Sequence, residues 1–296
     1  MRPAPPALSI IIVSWNTKDL LRACLASIQR HPPSVRYEVI VVDNCSRDGT
    51  ADMVRQEFPR VILVALPTNT GYARGNNHGF EEARGEYLLT LNPDTEFVDA
   101  SLERAVRIME ENPHVGVLGA KQIGIKGEVQ ASVRGFPTLP GIFGDVTGLG
   151  RLFPASKLGS YRMRSFDYDV QQEAPQPMGT FLLFRRAALA AVGHAEKPFD
   201  EGFPIFFNEV DLLYRLKKKG WPCLYAPGVR VLHHGGASTK QVRKNMIWES
   251  HRSLVRFLRK HMLTQWNLPV MVSVWGIIYL AAFVRARGWS EGFRAG

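Results

Sequence analysis

Five short apolar runs, at residues 8–13, 37–42, 61–65, 87–91 and 115–119, recur through the first 120 residues, each separated from the next by enough chain for a helix. That rhythm is the strongest constraint in the sequence, because parallel strands must be joined by crossovers of a dozen or more residues, which are usually helical. Between the first two runs Leu20, Leu21, Cys24, Leu25 and Ile28 fall at helical spacing and predict a crossover helix with its apolar face on the sheet. The expected class is α/β, with a mostly parallel sheet flanked by helices. Residues 121–175 lose this periodicity and carry Gly and Pro every few positions, as in GFPTLPGIFGDVTGLG, which predicts long loops of the kind that cover sites. Order returns with a strand over 180–184 and a helix over 210–219. A basic helix over about 241–261 then precedes an apolar tail.

Composition narrows the class further. The chain has 296 residues with 45% hydrophobic and 22% charged content, enough to bury roughly three quarters of its unfolded surface, so disorder, collagen and coiled coil are excluded. Cys24, Cys45 and Cys223 are odd in number and form no CxxC pair, which excludes a disulfide framework or a cysteine-rich zinc module and predicts a reducing compartment. The N-terminal MRPAPPALSIIIVSWN reads as a buried strand and not a secretory signal, so the expected location is cytoplasmic. From Lys240 onward ten Lys/Arg face two acids, a net of +8 within the total of +10. The basic excess therefore belongs to the segment that also holds the most apolar stretch, which points to an anionic membrane surface and away from nucleic acid.

In an open parallel sheet, ligands sit beyond the carboxyl ends of the strands, so polar residues that follow an apolar run carry the chemistry. In VIVVDNCSRDGT, Asp43 ends a strand where a carboxylate can accept from a base ring N–H or a ribose hydroxyl; helix capping explains Ser46 or Asp48 better than Asp43. An EF-hand register on Asn44, Ser46 and Asp48 fails, since its twelfth position is Arg55. In EYLLTLNPDTEF, Asn92 and Asp94 flank a proline, and two oxygen-bearing side chains so spaced suit Mg²⁺ or Mn²⁺, which draw further ligands from water and substrate phosphates. An ordinary Asn-Pro-Asp turn is the alternative. In GFPIFFNEVDLLYRLKKKGW, Glu209 and Asp211 open a helix among Phe203, Phe206 and Phe207, surroundings that raise a carboxyl pKa toward that of a general base; simple dipole stabilisation is the alternative. In VLHHGGAST, His233 and His234 could add an imidazole to a metal.

Taken in order, SIIIVSWNTKDLLRACLASI, VIVVDNCSRDGT, NTGYARGNNHGF, ARGEYLLTLNPDT, PMGTFLLFRRAAL, FFNEVDLLYRLKKKGW and VLHHGGAST resemble family 2 inverting glycosyltransferases of the GT-A fold, in the rhamnosyltransferase-like branch of bacterial cell-surface polysaccharide synthesis. The resemblance implies that Asp43 holds the nucleotide base and that Asn92 with Asp94 is this chain's form of the DxD metal motif. It places Glu209 at the catalytic-base position, with Asp211 beside it, and His233, or His234 in a shifted register, at the metal. Trp15 and Asn16 would contact the nucleotide, and Arg74 and Asn76 would lie in the donor-binding loop. Two departures are the Asn at the first position of DxD and GHAEKPFDEGF in place of a Gly-Gly-Phe-Asp run.

The implied division is a glycosyltransferase domain over 1–239, with a nucleotide-binding half at 1–120 and an acceptor half at 121–239, followed by a helical extension over 240–296. The implied reaction is metal-assisted single displacement from a dTDP- or UDP-linked sugar to a hydroxyl of a glycan or polyprenyl-linked acceptor. The alternatives are a sugar-phosphate nucleotidyltransferase, whose Gly- and Arg-rich phosphate loop is missing from SWNTKD, and a non-catalytic membrane scaffold. Residues 268–284 would form a helix about 26 Å long, slightly short of a roughly 30 Å hydrocarbon core. With apolar residues all round, the tail is expected to insert in the membrane, pack on the domain or join two subunits as a homodimer. Membrane association at the inner face is the preferred reading, given the basic flank.

Overall fold

The structure, a computed structural model, describes residues 5–235, 243–291 and 293. The end of the VLHHGGAST motif beyond Gly235, Lys240, Arg294 and the expected boundary at 239/240 lie outside the described residues. The strands are β1 (Leu8–Ser14), β2 (Tyr37–Asp43), β3 (Ile62–Ala65), β4 (Tyr87–Leu91), β5 (Thr95–Glu96), β6 (Val117–Ile123), β7 (Val133–Arg134), β8 (Gln172–Glu173), β9 (Gln176–Pro177), β10 (Phe181–Arg185) and β11 (Cys223–His233). The helices are α1 (Lys18–Arg30), α2 (Thr50–Glu57), α3 (Gly71–Glu82), α4 (Ser101–Glu111), α5 (Leu139–Thr147), α6 (Leu149–Leu152), α7 (Arg186–Ala190), α8 (Asn208–Lys218), α9 (Arg243–Met262) and α10 (Leu268–Ala286).

The main sheet runs in the order β3-β2-β1-β4-β10-β6-β11-β5, with β8 on β11, while β7 and β9 pair apart from it. β1 is buried at all seven positions, as a central parallel strand covered on both faces must be. Its alternation divides the core. Ile10 and Ile12 face Leu21, Leu25 and Ile28 of α1 and Leu102, Val106 and Met109 of α4. Ile11 and Val13 face Ala73 and Phe80 of α3 and Leu212 and Leu216 of α8. Helix α3 rides close to the sheet because Gly79 has no side chain; a Cβ there would fall 2.3 Å from Ile11 Cγ2.

The sheet is mostly parallel, as expected, with β10 lying antiparallel between β4 and β6. Residue 120 falls inside β6, and β10 and β11, from beyond it, complete the same sheet. One expectation is corrected. The stretch 121–175, expected as loops, holds α5, α6 and short strands, which escape periodicity because they are too brief to show one. Two arginines fasten β10. Arg185 donates to the carbonyls of Met109 and Val115 at 2.6 and 3.1 Å, and Arg186 donates to those of Ala83 and Gly85 at 2.8 and 2.7 Å.

The C-terminal helices form an antiparallel hairpin against the α/β core. Phe257 of α9 enters the core beside α8, and α10 packs on α9 through Met271 and Ile278 at one end and Ala282 and Ala286 at the other. Cys24, Cys45 and Cys223 are all free thiols.

Candidate functional site

Beyond the carboxyl ends of β1, β2 and β4 opens a cleft of about 1110 Å³, lined by residues that include Trp15, Asn16, Asn92, Asp94, Glu209 and His233. Six of the residues expected from sequence thus meet on one surface. The loops after β1 and β2 are tied together at its floor. Asn16, held at φ +52°, accepts from the Arg47 N–H at 2.8 Å and donates its own N–H to Ser46 Oγ at 2.9 Å. Asp48 accepts from the backbone N–H groups of Lys18 and Thr50 at 2.9 and 3.1 Å, so one carboxylate serves the starts of α1 and α2.

Asp94 follows β4 in a turn closed by Thr95 Oγ1, which donates to the Asn92 carbonyl at 2.7 Å. Its carboxylate is buried and lies 3.6 Å from His233 Nε2. The tautomer of His233 follows from its other partner. Gln130 donates its amide N–H to the His233 carbonyl at 3.1 Å, which orients its Oε1 as an acceptor 2.7 Å from His233 Nδ1. Nδ1 therefore carries the proton, and Nε2 presents a lone pair toward Asp94. Burial depresses the His233 pKa against the opposing pull of Asp94, keeping the ring neutral. His234 points elsewhere, with Nε2 2.8 Å from Glu96 Oε1. Among the described residues no three His, Cys, Asp or Glu side chains cluster to hold a metal. One carboxylate and one imidazole are a partial set, suited to a cation that takes its remaining ligands from water and a diphosphate.

Glu209 lines the same cleft from the first turn of α8, with its side chain packed along Gly179. Phe207, which precedes α8, is held at φ +65°, a strained conformation that sets the direction in which the helix leaves the cleft. Desolvation by burial pushes the Glu209 carboxyl up to about 7, the range of a general base at neutral pH. Of the three expected aromatics, Phe206 lines the cleft, Phe203 is fully buried, and Phe207 packs on Phe257 at 5.9 Å between ring centres.

Four expected residues lie off the cleft surface. Asp211 points away into the protein, fully buried, where its carboxylate meets Arg215 at 2.8 Å and Lys260 and His261 at 2.7 Å each; it latches α8 to α9. Two residues along a helix turn the side chain by about 200°, which explains why Glu209 and Asp211 part company. Arg74 is exposed, 3.6 Å from Glu201. Asn76 is buried beneath the site and donates to the Tyr72 carbonyl at 2.9 Å. Asp43 is buried at the end of β2; its Oδ2 accepts weakly from the Ser46 N–H at 3.3 Å, its Oδ1 has no partner, and desolvation raises its pKa.

Sequence reasoning passed over several residues of the cleft. The Tyr72 hydroxyl lies 3.2 Å from Asn92 Oδ1 and 3.3 Å from the Gly179 carbonyl, joining the Asn-Pro-Asp turn to the wall carrying Glu209. Asn44 clamps the start of α3, donating to the Gly71 carbonyl at 3.0 Å and accepting from the Thr70 N–H at 2.8 Å. Asn245, Met246 and Ser290 of the C-terminal hairpin close one side. Tyr72 and Asn44 fall inside stretches already singled out, whereas nothing in the linear pattern marks the hairpin as part of a site.

Comparison with known proteins bears on the family and the fold. Residues 9–193 match the model of Glycosyl transferase family 2. The N-acetylglucosaminyl-diphospho-decaprenol L-rhamnosyltransferase of Mycobacterium tuberculosis H37Rv is 28% identical over 95% of this chain and 93% of its own. The putative teichuronic acid biosynthesis glycosyltransferase TuaG of Bacillus subtilis is 34% identical over 36% of this chain and 43% of its own. Among solved structures, the mannosyltransferase PcManGT from Pyrobaculum calidifontis, in complex with GDP-Man and Mn²⁺, superposes with a TM-score of 0.56 at 17% identity, over 96% of this chain and 75% of that one. Residues 1–349 of TarS from S. aureus, in complex with UDP, superpose with a TM-score of 0.55 at 17% identity, over 94% and 72%. With its GT-A fold and a family match across well over half its length, the chain belongs to glycosyl transferase family 2, and it is a glycosyltransferase.

Proposed function

We propose that the enzyme transfers a rhamnosyl or similar hexosyl group from a dTDP- or UDP-linked donor to a hydroxyl of a lipid-linked glycan, with inversion, at the cytoplasmic face of the membrane. The observation that carries the chemistry is that one cleft is lined both by Glu209, with its raised pKa, and by the Asp94–His233 pair. The near full-length likeness to a rhamnosyltransferase named for a decaprenol-linked acceptor supports the sugar and acceptor class.

The residues divide the work. Asp94 and His233 Nε2 would hold a Mg²⁺ or Mn²⁺ ion, which when bound neutralises charge developing on the departing diphosphate. Asp43 Oδ1, buried and unpartnered, has the acceptor character needed for a base ring N–H once the loop around it adjusts. Trp15 and Asn16 form the nucleotide side of the cleft. Glu209 takes the proton of the acceptor hydroxyl as that oxygen attacks the anomeric carbon from the face opposite the leaving diphosphate; one displacement inverts configuration. The exposed apolar helix α10, with a mean hydropathy of 1.8 over its most apolar window, supports work at a membrane. The test is product analysis with dTDP- and UDP-sugars and a polyprenyl-diphosphate-sugar acceptor, with and without Mn²⁺. Transfer with retained configuration, or full activity in excess EDTA, would overturn the mechanism.

A further inference from the structure

More than half of the large apolar side chains exposed among the described residues fall between Leu263 and Trp289. On α10 the stripe Met271, Ile278, Ala282 and Ala286 is covered by α9, while Val270, Val272, Ile277, Leu280 and Val284 on its other faces are each more than half exposed. Trp266 and Trp289, 86% and 62% exposed, stand just beyond its two ends, where amphipathic rings favour a headgroup layer. A spanning helix would have to leave α9. It is held to α9 along its length, and α9 is anchored in turn by Phe257 in the core and by Lys260 and His261 on Asp211. The arrangement therefore favours a helix lying in the membrane plane with protein behind it.

A second element shares this surface. Leu139 and Ile142 of α5 pack into the cluster formed by Val255, Leu258, Met271 and Ile278. Val146 continues their stripe at i, i+3, i+7 but runs past the cover and is 65% exposed, beside Phe143 at 56%. Leu152 and Phe153 at the end of α6 are 72% and 55% exposed. The acid on α5, Asp145, is neutralised by Arg162 through bonds of 2.6 and 2.9 Å. Residues 243–291 carry eight Lys/Arg against two acids, which complements an anionic leaflet.

We infer that α5–α6 and the outer face of α10 form one lipid-facing surface that seats the enzyme on an anionic leaflet, with α10 in plane and α5–α6 as a second contact. This rests on the membrane reading above and deepens it. Because the same hairpin lends Asn245, Met246 and Ser290 to the cleft, the surface adjoins the site, and a lipid-linked acceptor need not leave the leaflet to reach it.

The test is flotation of the full-length chain with phosphatidylcholine vesicles, with and without phosphatidylglycerol. It compares wild type with the pair Phe143→Ser and Val146→Ser and with the pair Ile277→Ser and Leu280→Ser. All four side chains are exposed, so nucleotide binding should survive and certifies folding. Wild type should float with anionic vesicles and be released by alkaline carbonate, and each pair should weaken partitioning about tenfold or more. If only the α10 pair matters, the two-element surface is overturned and membrane binding through α10 stands. If neither matters, the membrane reading fails with it. Retention through carbonate extraction overturns the in-plane arrangement. A lipid-independent dimer dissolved by either pair assigns the surface to a second copy and overturns the inference.

Discussion

Replacing Glu209 with Gln should make this protein less active and more stable, and the two effects should separate with pH. The carboxyl pKa rises from 4.5 to about 7 because the folded cleft wall withholds water from it. An unfolded chain ionises this group near 4.5, so between 4.5 and 7 the folded state binds the extra proton. Stability therefore falls as pH rises through that window and levels off above it. Holding the carboxylate ionised at pH 8 costs about 3 kcal/mol by this reckoning, a large part of the total stability of a typical domain. Gln keeps the shape and most of the hydrogen bonding without the charge. Urea unfolding at pH 8, without donor or metal, should show Glu209→Gln more stable by up to about 3 kcal/mol, and the gain should vanish near pH 4.5. Turnover should drop by a factor on the order of 10² to 10⁴ with donor affinity nearly unchanged. The wild-type rate should climb with pH through about 7 as the base ionises. A variant no more stable at pH 8 than at pH 5, relative to wild type, would refute the buried-carboxylate argument. One that kept full turnover would refute the base.

Asp211→Ala leaves Arg215, Lys260 and His261 facing an emptied buried site and should cost about 3–5 kcal/mol in urea unfolding, with kcat per folded molecule preserved. A loss of kcat without loss of stability would transfer the base role to Asp211. Asp94→Asn should abolish the Mn²⁺-dependent thermal shift given by a nucleotide diphosphate, which at 100 times its dissociation constant contributes about 2.7 kcal/mol. A full shift in that variant would move the cation elsewhere. Gly71→Ala puts a Cβ 2.7 Å from the Pro204 carbonyl at a backbone φ of +84°. It should cost about 1–3 kcal/mol and raise the donor KM by displacing Tyr72, which steady-state kinetics will show.

The parts of the fold legible in sequence are those where one local pattern determines one structure. Seven consecutive buried residues in β1 read as a central strand because no other environment tolerates LSIIIVS. The direction of β10 did not read, since FLLFR is equally apolar whichever way it runs, and only its arginines, reaching carbonyls around α3 and α4, record its orientation. Of the residues that line the cleft, Asp94, Glu209 and His233 stand out in the sequence because each follows, opens or ends an element. Whether Asp211 shared the role of Glu209 depended on α9, a helix more than thirty residues further along the chain. The protonation of His233 hangs on Gln130, which no spacing rule links to it.

The antiparallel β10, lodged between β4 and β6, also governs when the molecule can become itself during synthesis. Once the first 123 residues have left the ribosome, six of the eleven strands among the described residues exist, yet β4 and β6 cannot pair with each other, because the strand that joins them is still some sixty residues away. Until it arrives, the inner edge of β4 offers unpaired N–H and C=O groups along YLLTL, an apolar segment well suited to wrong partners. A fragment ending near residue 123 should therefore aggregate and not fold. The slow step in refolding should be the long-range closure that brings Arg185 and Arg186 onto the carbonyls waiting for them.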